Sequence, residues 1–180
     1  LRKRIEALGG EVRFGCRLTA LAREGNQLTG LTYEQGGESH ALPCRRLILA
    51  IGHSARDTFH MLLDAGIPME PKAFSMGVRI EHPQSWLDQT QYGPSAGHPN
   101  LPPADYKLSV HLPDGTSAYT FCMCPGGVVI PAASEEGGVV VNGMSNFARD
   151  EKNANSALVV QVKKEDFGEG ALAGVAFQRK

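Results

Sequence analysis

The chain has 180 residues, of which 42% are hydrophobic and 21% are charged, and its formal net charge is −1. A chain of this length can form one sizeable hydrophobic core or two small ones. The near-neutral charge argues against a nucleic-acid partner, and the longest apolar run is far shorter than the roughly 20 residues of a membrane-spanning helix. Four cysteines without an Asn-x-Ser/Thr site do not resemble a disulfide scaffold. We therefore predict a soluble cytoplasmic protein with no nucleic-acid or membrane partner.

The two ends of the sequence carry segments that look cut. Residues 1–8 have apolar side chains at helical spacing and precede Gly9, a residue type that commonly ends a helix. The first residue is Leu1 rather than methionine, and residues 174–180 begin another amphipathic segment. We therefore expect an internal segment of a longer protein.

The first part of the chain has a β pattern. Residues 17–44 alternate between polar and apolar side chains, which predicts three antiparallel strands in a meander. The two turns of this meander are Gly25-Asn26 and Gly36-Gly37. The continuous apolar run 47–50 then predicts a buried strand, pairing in parallel with a short strand at 12–14.

A helix and a boundary follow. Residues 54–66 predict a helix in which Ser54 is the N-cap and Asp57 completes a capping box. Two prolines come shortly after this helix, and such residues mark a break between elements. We therefore predict two domains, 1–66 and 67–180.

The second predicted domain is mostly β. Apolar stretches separated by Pro- and Gly-containing turns predict an antiparallel meander. The Pro-, Gly- and Gln-rich residues 83–103 predict a loop or lid, in which Trp86 and Leu87 could form one helical turn. The predicted strands are 74–81, 106–112, 118–123, 128–133, 139–144 and 157–162.

The end of the apolar run 47–50 is the first candidate site. A buried strand that ends in a small residue and glycine lets the backbone approach a flat cofactor closely, and this predicts cofactor contacts. The candidate residues are Ala50, Ile51, Gly52 and His53. The alternative is an ordinary strand that ends in a turn, with His53 acting only as a helix cap. No strand here is followed by Gly-x-Gly-x-x-Gly, so we expect the segment alone not to hold a dinucleotide cofactor tightly.

These residues resemble a known cofactor motif. The order of strand, meander and apolar strand ending in glycine is similar to the second FAD motif of glutathione-reductase-type proteins, in which Ala-Thr-Gly closes the strand. Ile51 stands here in place of the threonine. The resemblance implies a partial FAD/NAD(P)-binding α/β unit with a three-strand meander, followed by a mostly antiparallel β inserted domain, and we assign the fold class as α+β.

A longer resemblance runs along nearly the whole chain. It rests on four stretches: AIGHSARD at 50–57, FSMGVRIEHP at 74–83, YTFCMCPGG at 119–127 and EEGG at 135–138. These stretches resemble a family of bacterial uncharacterised FAD-dependent dehydrogenases. The resemblance implies FAD as cofactor of the longer protein, and it implies no particular substrate.

Three features of the second domain have more than one interpretation. Cys122 and Cys124 are two residues apart on a predicted strand, so we expect their side chains to share one face. There they are core residues, residues that line a pocket, or a redox or metal-binding pair. Arg79 and Glu81 form a solvated charged face, or Arg79 binds an acidic substrate. The polar residues between 142 and 156 form loop turns or a substrate-binding loop. No further Cys pair has metal-site spacing, so we assign no metal.

Two functional hypotheses remain. The first is an internal segment of a flavin-dependent oxidoreductase of the dehydrogenase type, inactive by itself, whose second domain receives a small-molecule substrate. The alternative is a β-rich binding or interaction module without catalysis. The sequence names no catalytic residue and no oligomeric state.

Overall fold

The structure is a computed structural model that describes residues 1–179, and the chain divides into two units, Leu1–Met69 and Glu70–Lys180. It is an α+β structure whose sheets are antiparallel, as predicted. The elements of the first unit are α1 (Arg2–Ala7), β1 (Cys16–Glu24), β2 (Gln27–Gln35), β3 (Glu38–Pro43) and α2 (Arg56–Asp64). No helix within residues 1–179 is long and apolar enough to cross a membrane.

The first unit is built on a three-stranded sheet in the order β1-β2-β3. Both connections turn at glycines with positive φ, Gly25 at +58° and Gly36 at +62°, a conformation that other residues adopt only at a cost. The predicted antiparallel meander is therefore confirmed, and helix α2 packs near β1 in the same unit.

The predicted buried strand at 47–50 is wrong for this structure. These residues form no strand, and the Ile48 side chain is 92% exposed. A strand needs a neighbour to receive its backbone hydrogen bonds, and no neighbour pairs with residues 47–50 in the described part of the chain. The short strand predicted at 12–14 is also absent, so the parallel pairing expected of an FAD-binding unit does not form among these residues.

The second unit contains a four-stranded sheet in the order β4-β9-β6-β5 and a separate hairpin of β7 and β8. The elements are β4 (Phe74–Pro83), α3 (Gln84–Tyr92), a 3₁₀ turn (Gly93–Ser95), β5 (Ser109–His111), β6 (Ser117–Cys124), β7 (Gly127–Pro131), β8 (Val141–Ser145), β9 (Asn153–Val162), α4 (Lys164–Phe167) and α5 (Ala173–Gln178). The predicted meander forms in part: β5 pairs with β6 and β7 pairs with β8, but β7 and β8 form a separate sheet instead of continuing from β6. Strand β9 lies between β4 and β6, and the register of β4 with β9 runs from Phe74 opposite Val162 to Pro83 opposite Asn153.

Helix α3 lies in the stretch predicted to be a loop or lid, and it is longer than the single turn that the sequence allows at Trp86 and Leu87. Pro83 is the N-cap residue, and its extended conformation (φ −59°, ψ 132°) is where β4 ends and the helix begins. Leu87 of this helix is buried with Ala104 and Ala154 in the central apolar cluster of the second unit, and Tyr92, Tyr106 and Met123 pack against it. Burial of one helical face thus outweighs the many Gln, Pro and Gly residues of this stretch.

The apolar core is small for the length of the chain. A compact monomeric protein of 19.3 kDa exposes about 8,500 Å², and two separate compact units of this total mass expose about 10,000 Å². The chain exposes 13165 Å². Much of this excess is apolar: on one face of the four-stranded sheet, Met76, Val78, Leu158 and Val160 are all exposed.

We predict that amides of residues 47–50 exchange with solvent much faster than those of β9 in the 180-residue chain. The former make no backbone hydrogen bond among the described residues, whereas β9 is paired on both edges. Hydrogen–deuterium exchange followed by mass spectrometry should separate the two by at least about a factor of 100. The chain in denaturant supplies the unprotected reference. Equal protection in a monomeric preparation would show that residues 47–50 are paired in solution.

Candidate functional site

The first candidate site lies between β3 and α2. Ala50, Ile51, Gly52 and His53 are consecutive exposed residues of an irregular segment. Gly52 has φ of +68°, and a Cβ atom added there would meet nothing within 4 Å. The segment therefore turns at Gly52 beside open space, as a close approach of a flat molecule to the backbone requires.

The cap predicted beside this segment does not form. Helix α2 begins at Arg56, and its N-cap is Ala55 without a side-chain cap bond. The Asp57 carboxylate accepts the N–H of Thr58 at 2.9 Å instead of reaching back to the cap residue. The His53 ring nitrogen Nδ1 lies 3.4 Å from the hydroxyl of Ser54, so this histidine does not cap the helix either.

An open cleft lies next to the segment within the first unit. Its volume is about 820 Å³, and Leu47 and Leu49 are among its lining residues. Arg23, Arg45 and Arg46 also line it. Glu24 lines it as well, and the Arg23 guanidinium is bonded to the Ala65 oxygen. Arg45 and Arg46 beside apolar side chains suit a molecule that has both anionic and apolar parts.

The second candidate site is centred on Arg79 in β4. The Arg79 side chain is half-buried, and its Nη1 atom donates to Asn155 Oδ1 at 2.8 Å and to the backbone oxygen of Cys122 at 3.1 Å. Asn155 is fully buried in β9. The solvated charged face predicted for β4 is therefore wrong at Arg79, because the guanidinium is held against the β9 side chain.

Two donors in this cluster have no acceptor. Arg79 Nε and Asn155 Nδ2 are buried and lack a hydrogen-bond partner in the described part of the chain. A buried donor without an acceptor costs about 1–3 kcal/mol, and each such group calls for an explanation. The site thus holds two unused donors close to one another.

Gly143 in β8 makes the close packing of this cluster possible. A Cβ atom at position 143 would collide with Asn155 Oδ1, Arg79 Nη1 and Cys124 Sγ. The hairpin of β7 and β8 can therefore approach Arg79 only because residue 143 has no side chain.

The two cysteines do not share a face. A bulge between Phe121 and Cys124 shifts the pairing of β6 with β9, and Cys122 has φ of +52°. Cys122 is consequently exposed, whereas Cys124 is 7% exposed and its thiol donates to the Cys122 oxygen at 3.4 Å. The prediction of one shared face assumed a regular strand, and the extra residue of the bulge breaks the alternation. The pKa of the Cys124 thiol is raised, chiefly by burial and next by the nearby Cys122, whereas Arg79 lowers it.

Sequence reasoning missed three residues of the second unit. It placed Asn155 in a polar loop, but Asn155 belongs to β9; Gly143 and Gln84 were not considered. Gln84 is buried, donates to Ala104 O at 3.0 Å and accepts the N–H of Gly126 at 2.7 Å. The only local signal was the alternation of small and polar residues over 153–157, which fits a strand as well as a loop.

Comparison with known proteins yields two findings. Residues 73–180 match the family described as FAD-dependent protein, C-terminal domain-like. A protein of Clostridium beijerinckii named "Uncharacterized protein" is 50% identical over 183 residues, which cover 99% of this chain and 33% of that relative. The chain thus spans about a third of the length of this relative, and the family match falls within the second unit.

We predict that Gly143→Ala destabilises the second unit by about 1–3 kcal/mol, because the added methyl group must displace Arg79 or Asn155. Urea unfolding followed by circular dichroism measures this change. Val141→Ala is the matched control, since Val141 lies in the same strand and is 40% exposed. Similar stability of the two variants would mean that the cluster is not packed as described.

We also predict different alkylation profiles for the two cysteines of β6. Because the pKa of Cys124 is raised, its alkylation should reach half of its maximum rate at a higher pH than that of a cysteine in the unfolded chain. Cys122→Ser should move this midpoint part of the way back, since Cys122 is the second cause of the shift. Peptide mapping after timed iodoacetamide treatment measures each site. A Cys124 that reacts as early as Cys122 would contradict the described burial.

Proposed function

Because the family match covers residues 73–180, the chain belongs to the FAD-dependent protein, C-terminal domain-like family, and we propose that it works as part of a flavin-dependent oxidoreductase of the dehydrogenase type. The family membership is the observation that carries this proposal. The greater length of the Clostridium beijerinckii relative supports it, since a complete enzyme then includes residues beyond this chain.

In this proposal the first unit contributes to the FAD-binding domain. Ala50, Ile51, Gly52 and His53 would lie against the cofactor, since Gly52 turns beside open space. The arginine-lined cleft next to them suits an anionic and partly apolar molecule such as FAD. The chain has no Gly-x-Gly-x-x-Gly turn, which is the element that binds the cofactor phosphates. Its residues therefore suit contacts with another edge of the cofactor.

The second unit would receive the substrate. Bound FAD would supply the hydride chemistry, and this unit would orient the substrate and keep water away from it. The half-buried Arg79 and the exposed apolar face of the four-stranded sheet support this role. Each is suited to bind a small molecule or to pack against the remainder of a longer protein.

The alternative is a β-rich interaction module without catalysis. The exposed apolar side chains of β4 and β9 favour it, since a contiguous apolar face marks an interaction surface. The absorption spectrum of a purified protein of the relative's length distinguishes the two proposals. A flavin spectrum bleached by a reductant supports the oxidoreductase, and a protein without flavin after reconstitution supports the module.

We predict that FAD titration of the 180-residue chain gives no saturable quenching of flavin fluorescence at micromolar concentration, because the phosphate-binding turn is missing. In the longer protein, Gly52→Val should weaken FAD binding by at least about tenfold, since the new side chain enters the space where the cofactor approaches. Gly66→Val is the matched control: its φ of +69° equals that of Gly52 within one degree, and its surroundings are equally open.

The control separates backbone strain from cofactor contact. Both substitutions place valine in the left-handed region and should reduce stability to a similar extent. Equal FAD affinity in the two variants would remove residues 50–53 from the cofactor site. Saturation of the 180-residue chain with one flavin per chain would contradict the expected weakness of the segment.

A further inference from the structure

The guanidinium of Arg79 makes hydrogen bonds through Nη1, whereas its Nε–Nη2 edge makes none among the described residues. Nη1 carries two hydrogens, and its two acceptors are Asn155 Oδ1 and the Cys122 oxygen. Nε has no acceptor, and Nη2 has none within residues 1–179. The Nε and Nη2 hydrogens point in parallel, and this pair matches the two oxygens of a carboxylate.

The charge of Arg79 is also uncompensated. Arg17 and Arg179 form ion pairs with Glu34 and Glu135, at 2.7 Å and 2.9 Å. Arg79 is more enclosed than a surface arginine, yet it has no ion pair among the described residues. A partly buried cation without a counter-ion is costly, so an anion that binds it regains free energy.

Glu81 does not serve as this counter-ion. It lies two residues from Arg79 on the same face of β4, but its Oε1 accepts from Asn153 Nδ2 at 3.5 Å. Asn155 and the Cys122 oxygen meanwhile anchor the guanidinium at Nη1, so the free edge moves by turning about this atom.

The sheet places an apolar surface beside the free edge. Arg79 is opposite Ala157 in β9, and Ala157 is opposite Phe121 in β6. Paired residues share a face of the sheet, so Ala157 lies between the backbone of Arg79 and a Phe121 side chain that is 63% exposed. Neighbouring strands lie about 4.8 Å apart, so the Cα atoms of Arg79 and Phe121 are about 10 Å apart. The Arg79 side chain spans part of this distance, because its Nη1 atom reaches the oxygen of Cys122, next to Phe121.

We infer that Arg79, Asn155 and Phe121 form a binding site for a small organic carboxylate that carries an apolar body. The carboxylate accepts from Nε and Nη2 of Arg79, and the apolar body lies over Ala157 against the Phe121 ring. A movement of the Arg79 side chain opens Nε, which is closed to solvent without a ligand. The inference that a carboxylate binds here depends only on this geometry. The further statement that the ligand is a substrate rests on the proposed function.

The test uses benzoate as the carboxylate probe and benzamide as its neutral counterpart, added to the ¹⁵N-labelled 180-residue chain at low ionic strength. The Arg79 Nε–H resonance reports the contact directly in a ¹H–¹⁵N spectrum. We expect a saturable shift with benzoate in the millimolar range and none with benzamide. Arg79→Gln and Arg79→Lys should each weaken benzoate binding by at least about tenfold, because lysine lacks the planar fork.

Arg179→Gln is the matched control, since it removes the same charge from the same unit at an arginine that already has a partner. Phe121→Ala changes an exposed side chain and should weaken benzoate binding while the fold is retained. If an Arg79 variant does not fold, the benzoate titrations of Phe121→Ala and of the unmodified chain still test the site.

Several results would overturn the site. They are an unshifted Arg79 Nε–H at saturating benzoate, an equal response to benzamide, saturation by inorganic phosphate in preference to benzoate, or equal losses in Arg79→Gln and Arg179→Gln. None of these readouts needs flavin. A longer protein that fails to bind FAD would overturn the proposed function and leave benzoate binding to this chain unaffected.

Discussion

Strand β9 is paired on both of its edges, with β4 on one side and β6 on the other, and the rest of the second unit depends on this double pairing. It brings together strands that are far apart in sequence, and it supplies Ala154 to the core beside Leu87. The same register places Asn155 within reach of Arg79. The apolar core and the polar cluster therefore rest on one strand, so a change in the pairing of β9 reaches both.

The exposed surface of the chain and the comparison with its relative support the same interpretation. The exposed area exceeds that of two separate compact units by about 3,000 Å², and the hydrophobic effect opposes leaving apolar side chains in water. The exposed run 47–50 and the exposed face of β4 and β9 are two places where apolar side chains meet water. Both surfaces are of the kind that a longer chain covers, and the relative is about three times as long as this chain.

Local signals predicted the hairpins of the first unit, but they failed at the strand 47–50 and at the helix cap of Ser54 and Asp57. The Gly25 and Gly36 turns specify the meander of the first unit, because a positive φ between alternating strands is nearly sufficient to form a hairpin. Three features could not be predicted in this way. The position of β9 between β4 and β6 depends on pairing across long stretches of chain, helix α3 forms because Leu87 is buried, and the separation of Cys122 from Cys124 depends on a bulge. Each is decided by tertiary contacts that outweigh local preference.

Several locally unfavourable features of the second unit lie around Arg79, and a further one, the buried and unpartnered Nδ1 of His82, is three residues along β4. Among residues 1–179, Cys122 and Arg149 are the non-glycine residues with positive φ. The first provides the oxygen that holds Arg79, and the carbonyl of the second packs where a Cβ of Gly126 would lie, at the turn after β6. The unpaired Arg79 charge and the unused Asn155 donor belong to the same region. A fold selected for stability alone would relieve such costs independently of one another, whereas a binding site keeps them together because the ligand offsets them. The concentration of strain around Arg79 therefore favours a ligand-binding role for this part of the sheet over a purely structural one.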